Sequence, residues 1–227
     1  MTDSILPPFR LELVREEPVP GLLGKRLFDC AFAVVVVVVL SPLLFVLAVL
    51  VQASSPGYAL FRQTRIGTYG RPFTIYKFRT MRVGCSDEIH RSYVQQLLGS
   101  AVPTAGGERG YYKLERDPRV TRVGRLLRRT SLDELPQLFN VIRGDMSLVG
   151  PRPALPWEVE LFGSTHHARF LVPPGITGLW QVSGRSRLTL REGLNLDVEY
   201  VQRRSFALDL AILARTVPAV LSADGAT

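Results

Sequence analysis

From Leu27 to Gln52 the chain is almost wholly apolar, with Asp29 near the start of the run, the valines Val34–Val39 inside it and Ser41-Pro42 at its centre. As one straight helix these 26 residues would extend about 39 Å, more than the roughly 30 Å hydrocarbon core of a bilayer. Pro42 removes a backbone donor in mid-helix, and Ser41 can bond back to an earlier carbonyl, so the pattern predicts a bend there. Lys25 and Arg26 precede the run while Arg62 and Arg65 follow it, which asks for both ends on the cytoplasmic side. A helix-break-helix segment that enters one leaflet and returns meets both conditions. A kinked single span is the competing reading.

Beyond Ser54-Ser55-Pro56-Gly57 the pattern turns soluble. Ala59–Ile66 and Phe73–Met81 read as strands of a hairpin around Gly67-Thr68-Tyr69-Gly70. Lys77 and Arg79, two apart, share a strand face and would both meet a phosphate there, although a solvated face explains them as simply. A helix is predicted over Ser86–Gly99, a loop over the glycine-rich stretch 100–112, and a short helix from Val120 to Arg129 that ends in Arg125, Arg128 and Arg129.

Ser131 and Glu134 have the spacing of a capping box, with Leu135, Leu138, Phe139 and Ile142 on one predicted buried face. Gly144 reads as the C-cap, Met146–Val149 as a short strand, and Gly150-Pro151-Arg152-Pro153 as a stiff loop that projects one guanidinium. A strand over Ile176–Val182 precedes the turn Ser183-Gly184-Arg185-Ser186. Thr189 and Glu192 form a second capping box for a helix through Asp197 and Tyr200. Phe206–Leu221 suits an interfacial helix, or a core one. The sum is a helix-dominated α+β fold: a lead-in over 1–24, a membrane segment over 25–53 and one cytoplasmic domain over 54–227.

Composition narrows the partners. At 227 residues the chain has room for one sizeable core, and it carries a formal charge of +8 although 46% of its residues are hydrophobic. That combination points to anionic lipid heads and phosphorylated substrates. No zinc-finger spacing, basic zipper or aromatic RNA-binding signature speaks for nucleic acid. Cys30 and Cys85, and His90, His166 and His167, offer no disulfide framework and no metal spacing. Residues 1–24 lack the apolar region and cleavage site of a signal peptide.

The candidate chemistry sits at Asp133-Glu134. A carboxylate near a helix start stays ionised at neutral pH, and the same backbone N–H groups favour a bound phosphate. An anionic Asp beside a phosphate site can serve as nucleophile, and a neighbouring Glu can hold a hard cation. On the segment alone, Glu134 as a plain capping residue and Asp133 as a plain first-turn acid is the favoured account, since capping boxes are far commoner than active sites.

Four stretches change that balance: Lys77-Phe78-Arg79-Thr80-Met81, Thr130–Phe139, Gly144–Pro153, and Pro174-Gly175-Ile176-Thr177-Gly178-Leu179-Trp180-Gln181-Val182-Ser183-Gly184-Arg185. Together they resemble the bacterial sugar transferases, the monotopic polyprenyl-phosphate phosphoglycosyltransferases, in the form that carries the catalytic core alone. The resemblance runs from about Lys25 to the C-terminus. It implies transfer of sugar-1-phosphate from a UDP-sugar to undecaprenyl phosphate at the cytoplasmic face of the bacterial inner membrane, with Mg2+ and release of UMP. By that likeness Asp133 is the nucleophile of a phospho-sugar aspartyl intermediate and Glu134 places the metal. Arg128, Arg152 and Arg185 match positions associated with phosphate or nucleotide binding, as Lys77 and Arg79 would by their strand face. Ser41-Pro42 matches the break of the re-entrant helix. The stretch between Met81 and Val120 is extended relative to the family pattern.

Two other classes fit parts of the sequence. A membrane-bound nucleotide-sugar phosphohydrolase would use water in place of the lipid acceptor. A non-enzymatic adaptor for anionic lipid would explain the charge and the hairpin, and leave the acidic pair between arginine clusters without a purpose.

Overall fold

The computed structural model describes residues 22–84, 119–184 and 188–221. The helix predicted over Ser86–Gly99, the loop over 100–112, Cys85, His90, Arg185 and residues 1–21 lie outside the described residues.

Helix α1 (Leu22–Val39) and helix α2 (Ser41–Ser54) meet at a bend of 66°. The bend has a local cause. Pro42 cannot donate to the Val38 carbonyl four residues back, and the Ser41 hydroxyl donates to that carbonyl instead at 2.8 Å. No single described helix is long and apolar enough to cross a membrane, whereas the bent pair meets that test of length and composition together.

Strands β1 (Leu60–Ile66) and β2 (Pro72–Phe78) form the expected antiparallel hairpin, in register from Leu60 opposite Phe78 to Ile66 opposite Pro72. After Met81 pairs with Val120, helix α3 (Arg122–Thr130) follows, capped by the Thr121 hydroxyl on the Gly124 N–H. Gly124 is required by close approach: a Cβ there would lie 2.1 Å from the Thr80 carbonyl oxygen.

The Ser131–Glu134 capping box is not formed. Ser131 is the left-handed residue that ends α3, at φ 56°, with its N–H on the Arg128 carbonyl. Leu132–Glu134 is then a single 3-10 turn, and helix α4 (Gln137–Arg143) starts only after Pro136. On α4, Leu138 and Val141 face the core with Asn140, whereas Phe139, expected inside, is exposed. Gly144 ends the helix as expected, at φ 96°, its N–H on the Asn140 and Val141 carbonyls.

Strand β3 (Ser147–Val149) pairs in parallel with strand β4 (Gly175–Thr177). The strand predicted over Ile176–Val182 stops at Thr177. Gly178 packs against the Gly150 carbonyl, and Leu179–Ser183 turns into helix α6; the single turn Pro156–Val159, between β3 and β4, is α5. Helix α7 (Leu190–Arg203) begins at the predicted Thr189–Glu192 box, and helix α8 (Phe206–Leu221) closes the described chain.

The largest core cluster joins Ala33 of α1, Ile75 of β2, Leu138 and Val141 of α4, Leu148 and Val149 of β3, Tyr200 and Val201 of α7 and Ile212 of α8. A second joins Leu47 and Val51 of α2 to Phe78 and Leu127. Each fully buried aliphatic contributes about 2 kcal/mol, so the second cluster holds the exit of α2 against the turn that carries Asp133. A polar chain reinforces the first: Lys25 reaches Asp209 at 2.6 Å, Asp209 bonds the Tyr200 hydroxyl at 2.7 Å, and Asp29 accepts from Ser147 at 2.6 Å. Burial, with Asp209 next, pushes the Tyr200 hydroxyl far above its ordinary pKa, so it stays a donor.

Candidate active site

Asp133 and Glu134 are consecutive in the 3-10 turn, which is pinned between the left-handed Ser131 and the start of α4. An ion pair links the turn to β2: Lys77 Nζ lies 2.8 Å from Glu134 Oε1, with both side chains partly open to solvent. That contact replaces the capping bond the sequence implies for Glu134. It brings two of the predicted site residues together across 57 positions of sequence.

Arg128, in the last turn of α3, donates from Nε to the Thr80 hydroxyl at 2.9 Å, which fixes its stem beside the end of the hairpin. Arg79 has a different setting from the one its spacing with Lys77 implies. It is 8% exposed and donates to the Ser55 carbonyl at 2.6 Å, bracing the hairpin against the exit of α2. Ser41 and Pro42 sit at the helix break. Arg185 lies outside the described residues.

Arg152 stands on a loop whose carbonyls are held one by one. The Pro151 carbonyl accepts from the Gly175 N–H at 2.8 Å, that of Arg152 from Arg169 at 2.7 Å, that of Pro153 from Arg65 at 3.0 Å and that of Ala154 from the Ile66 N–H at 2.9 Å. Arg169 also donates to Asp197 at 2.6 Å, and all three of Arg65, Arg169 and Asp197 are buried. Burial pushes the Asp197 carboxyl up to about 6 against the opposing pull of Arg169 and then Arg152.

Sequence reasoning passed over Arg169 and Asn140, and took Arg65 for a flanking charge of the apolar run where it is a buried anchor of the Arg152 loop. Asn140 is fully buried; it accepts from the Tyr76 N–H and donates to the Thr74 carbonyl and to Asp145, locking α4 to β2 one residue from Lys77. A loop with two prolines advertises carbonyls that need donors, but nothing in the sequence says which distant arginines supply them. His166 lies 3.0 Å from Asn195, and burial, with the neighbouring His166 next, lowers the His167 pKa.

The donor set fits a substrate-borne magnesium ion. Among the described residues no three His, Cys, Asp or Glu side chains cluster to form a metal cage. One or two carboxylates, completed by substrate phosphates and water, are how Mg2+ is commonly bound, and Glu134 is a partly solvated carboxylate of that kind beside Asp133.

The sequence profile of the bacterial sugar transferases matches residues 21–223. The exopolysaccharide production protein ExoY of Sinorhizobium fredii is 42% identical over 209 residues, covering 92% of this chain and 89% of that protein. The UDP-glucose:undecaprenyl-phosphate glucose-1-phosphate transferase of Caulobacter vibrioides is 42% identical over 212 residues, 90% of this chain and 72% of its own. The undecaprenyl-phosphate galactose phosphotransferase of Salmonella typhimurium is 41% identical over 202 residues, 89% of this chain and 41% of its own.

Proposed function

This chain belongs to the bacterial sugar transferases, and on that premise we propose that it transfers sugar-1-phosphate from a UDP-sugar to undecaprenyl phosphate, in the first membrane step of polysaccharide synthesis. The names of the relatives from Caulobacter and Salmonella support the acceptor and the transferred group. The observation that carries the chemical reading is the turn itself: Lys77 engages Glu134, while Asp133 shares the turn in a backbone fixed by flanking elements.

In the first half-reaction an Asp133 carboxylate oxygen attacks the sugar-bearing phosphorus. The bond from that phosphorus to the bridging oxygen breaks, and UMP leaves with the electron pair. In the second, a phosphate oxygen of undecaprenyl phosphate attacks the same phosphorus and Asp133 is released. Splitting the transfer lets a water-soluble donor and a membrane-embedded acceptor use one site in turn. Lys77 holds Glu134 in place, and Arg128 and Arg152, with Arg185, meet the phosphates as point charges or forks. Glu134 would hold a magnesium ion together with the substrate phosphates, and the bound ion would neutralise charge on the diphosphate.

The bent pair α1–α2 is read as a re-entrant segment over residues 25–53, with residues 54–227 as the catalytic domain on the cytoplasmic face of the inner membrane. The exposed apolar side chains Leu27, Val35, Val38, Phe45 and Val46 support it, as do the exposed arginines Arg122, Arg125 and Arg129 on α3, which anionic headgroups would attract.

The test is a trapping experiment. Purified protein in detergent is given UDP-sugar labelled in the β-phosphate, quenched in acid and digested, with UMP measured in parallel with and without polyprenyl phosphate. The reading expects label on the peptide holding Asp133 and sustained UMP release only with the lipid. Sustained release without lipid would favour the phosphohydrolase.

A further inference from the structure

The donors that hold the loop bearing Arg152 come from outside it. Pro151 and Pro153 restrict the backbone on both sides and leave it without their two N–H donors, so the loop is placed through its carbonyls. Those of Pro151 and Ala154 are held by backbone N–H groups of Gly175 and Ile66, bonds that any sequence forming these strands would supply. Those of Arg152 and Pro153 are held by side chains, Arg169 at 2.7 Å and Arg65 at 3.0 Å.

Burying two guanidinium groups costs free energy that a simple fold would avoid. Arg169 is 3% exposed, stacked over Phe162 and Phe170 at 5.0 and 5.7 Å, and its charge is met by Asp197 of α7 at 2.6 Å. One nitrogen, Nη2, serves both the Arg152 carbonyl and Asp197, so the loop and α7 are registered through a single atom. Asp197 also feels the charge of the Arg152 guanidinium itself.

We propose that Arg169, fixed by Asp197, and Arg65 are positioning residues that set the direction of the Arg152 guanidinium toward the transferred phosphate. The proposal rests on the assignment of Arg152 to phosphate binding made above. Arg169 and Arg65 act through the loop backbone and touch no substrate. Lysine in either place keeps the charge but lacks the flat guanidinium that, in Arg169, lies over Phe162 and Phe170 and, in Arg65, spans the Pro153 carbonyl and Gln63, so the charge-conserving change is the informative one.

The experiment is a double-mutant cycle on the full-length protein with UDP-sugar and polyprenyl phosphate, using Arg169→Lys, Arg152→Lys and the pair, with thermal melts alongside. Arg169→Lys should lower kcat/KM by about 10-fold or more, as a misdirected positioning contact does. In the Arg152→Lys background it should cost less than about 3-fold, because there is no fork left to misdirect. Should Arg169→Lys melt below the assay temperature, Arg65→Lys runs the same cycle through the Pro153 carbonyl. Equal fold-losses in both backgrounds, or no loss in the first, overturn the positioning role. A fully active Arg152→Lys overturns the role of Arg152, and no lipid-dependent transfer by the wild type overturns the functional reading. These three failures are distinguishable from one another.

Discussion

Lys77 and Glu134 form a 2.8 Å ion pair that joins a strand of the hairpin to the turn holding Asp133. Both side chains are partly solvated, so the pair is worth about 1 kcal/mol or less to stability. Its importance lies in aiming Glu134. Lys77→Met should therefore shift the melting temperature by no more than a few degrees while lowering transfer by about 100-fold, because a site group is left unoriented and a cation is lost near the diphosphate. Melting curves and UMP release on the same preparation check both halves. A large drop in melting temperature would make the pair structural.

Glu134→Gln keeps the shape and a Lys77 acceptor while removing the charge that the proposed metal needs. The expected outcome is a rise of about 10-fold or more in the Mg2+ concentration giving half-maximal rate, with the acid-stable label on Asp133 still formed slowly. Asp133→Asn, in contrast, should give no label at any Mg2+ concentration while melting as the wild type does. An Mg2+ titration of both variants beside the trapping assay separates the two carboxylates.

The legible parts of this fold were those decided within one turn of backbone. Gly144 at the end of α4, the Thr189–Glu192 box and the break at Ser41-Pro42 are local chemistry, and each stands where the residues put it. Ser131 failed for a physical reason. A serine three residues before a glutamate reads the same whether it opens a helix or ends the previous one, and here Lys77 from a distant strand takes the Glu134 carboxylate. Ile176–Val182 was misread because its β-branched ends outweigh Gly178, whose packing on Gly150 ends the strand. The acidic pair and its cationic neighbours showed in the sequence as types. That Arg79 is buried on Ser55, and that Arg65 and Arg169 hold a loop, are long-range facts no spacing carries.

Gly124 lets α3 press on Thr80 at backbone contact distance. Gly124→Ala places a methyl group 2.1 Å from the Thr80 carbonyl oxygen, so the helix must lift. The cost expected is about 1–3 kcal/mol, and because Arg128 is tied to Thr80, activity should fall further than stability alone explains. Denaturant melts and UMP release at a temperature where the variant is fully folded test this; normal kcat/KM in the folded variant would contradict it.

At the break between α1 and α2, Ser41 satisfies the carbonyl that Pro42 strands on Val38. Pro42→Ala returns the missing N–H and removes the ring clash, which allows α1 and α2 to run as one helix long enough to span. In membrane vesicles, a cysteine placed near residue 25 and one near residue 55 should both react from the cytoplasmic side in the wild type. The Pro42→Ala variant should move one of them to the far side in a sizeable fraction of molecules. Labelling unchanged by Pro42→Ala would mean that contacts from α4 and β3 to α1, such as Arg26 on the Val141 and Ile142 carbonyls, hold the bend without the proline.

Asp197 gives the loop's anchor a pH dependence whose sign follows from its environment. Burial pushes its carboxyl up to about 6 in the folded chain, against about 3.9 for an exposed aspartate of the unfolded chain. Between these values the unfolded chain has released the proton and the folded chain still holds it, so raising the pH favours unfolding. The contribution is fully present below about pH 4 and is lost as the pH passes 6. Asp197→Asn carries no titrating proton there and still offers an amide oxygen to Arg169. The melting temperature of the wild type minus that of Asp197→Asn should therefore fall from pH 4 to about pH 6.5 and stay level above it. Calorimetric melts across that range measure the difference directly. A difference that rises with pH would show that Arg169 and Arg152 outweigh burial and keep the carboxylate ionised throughout.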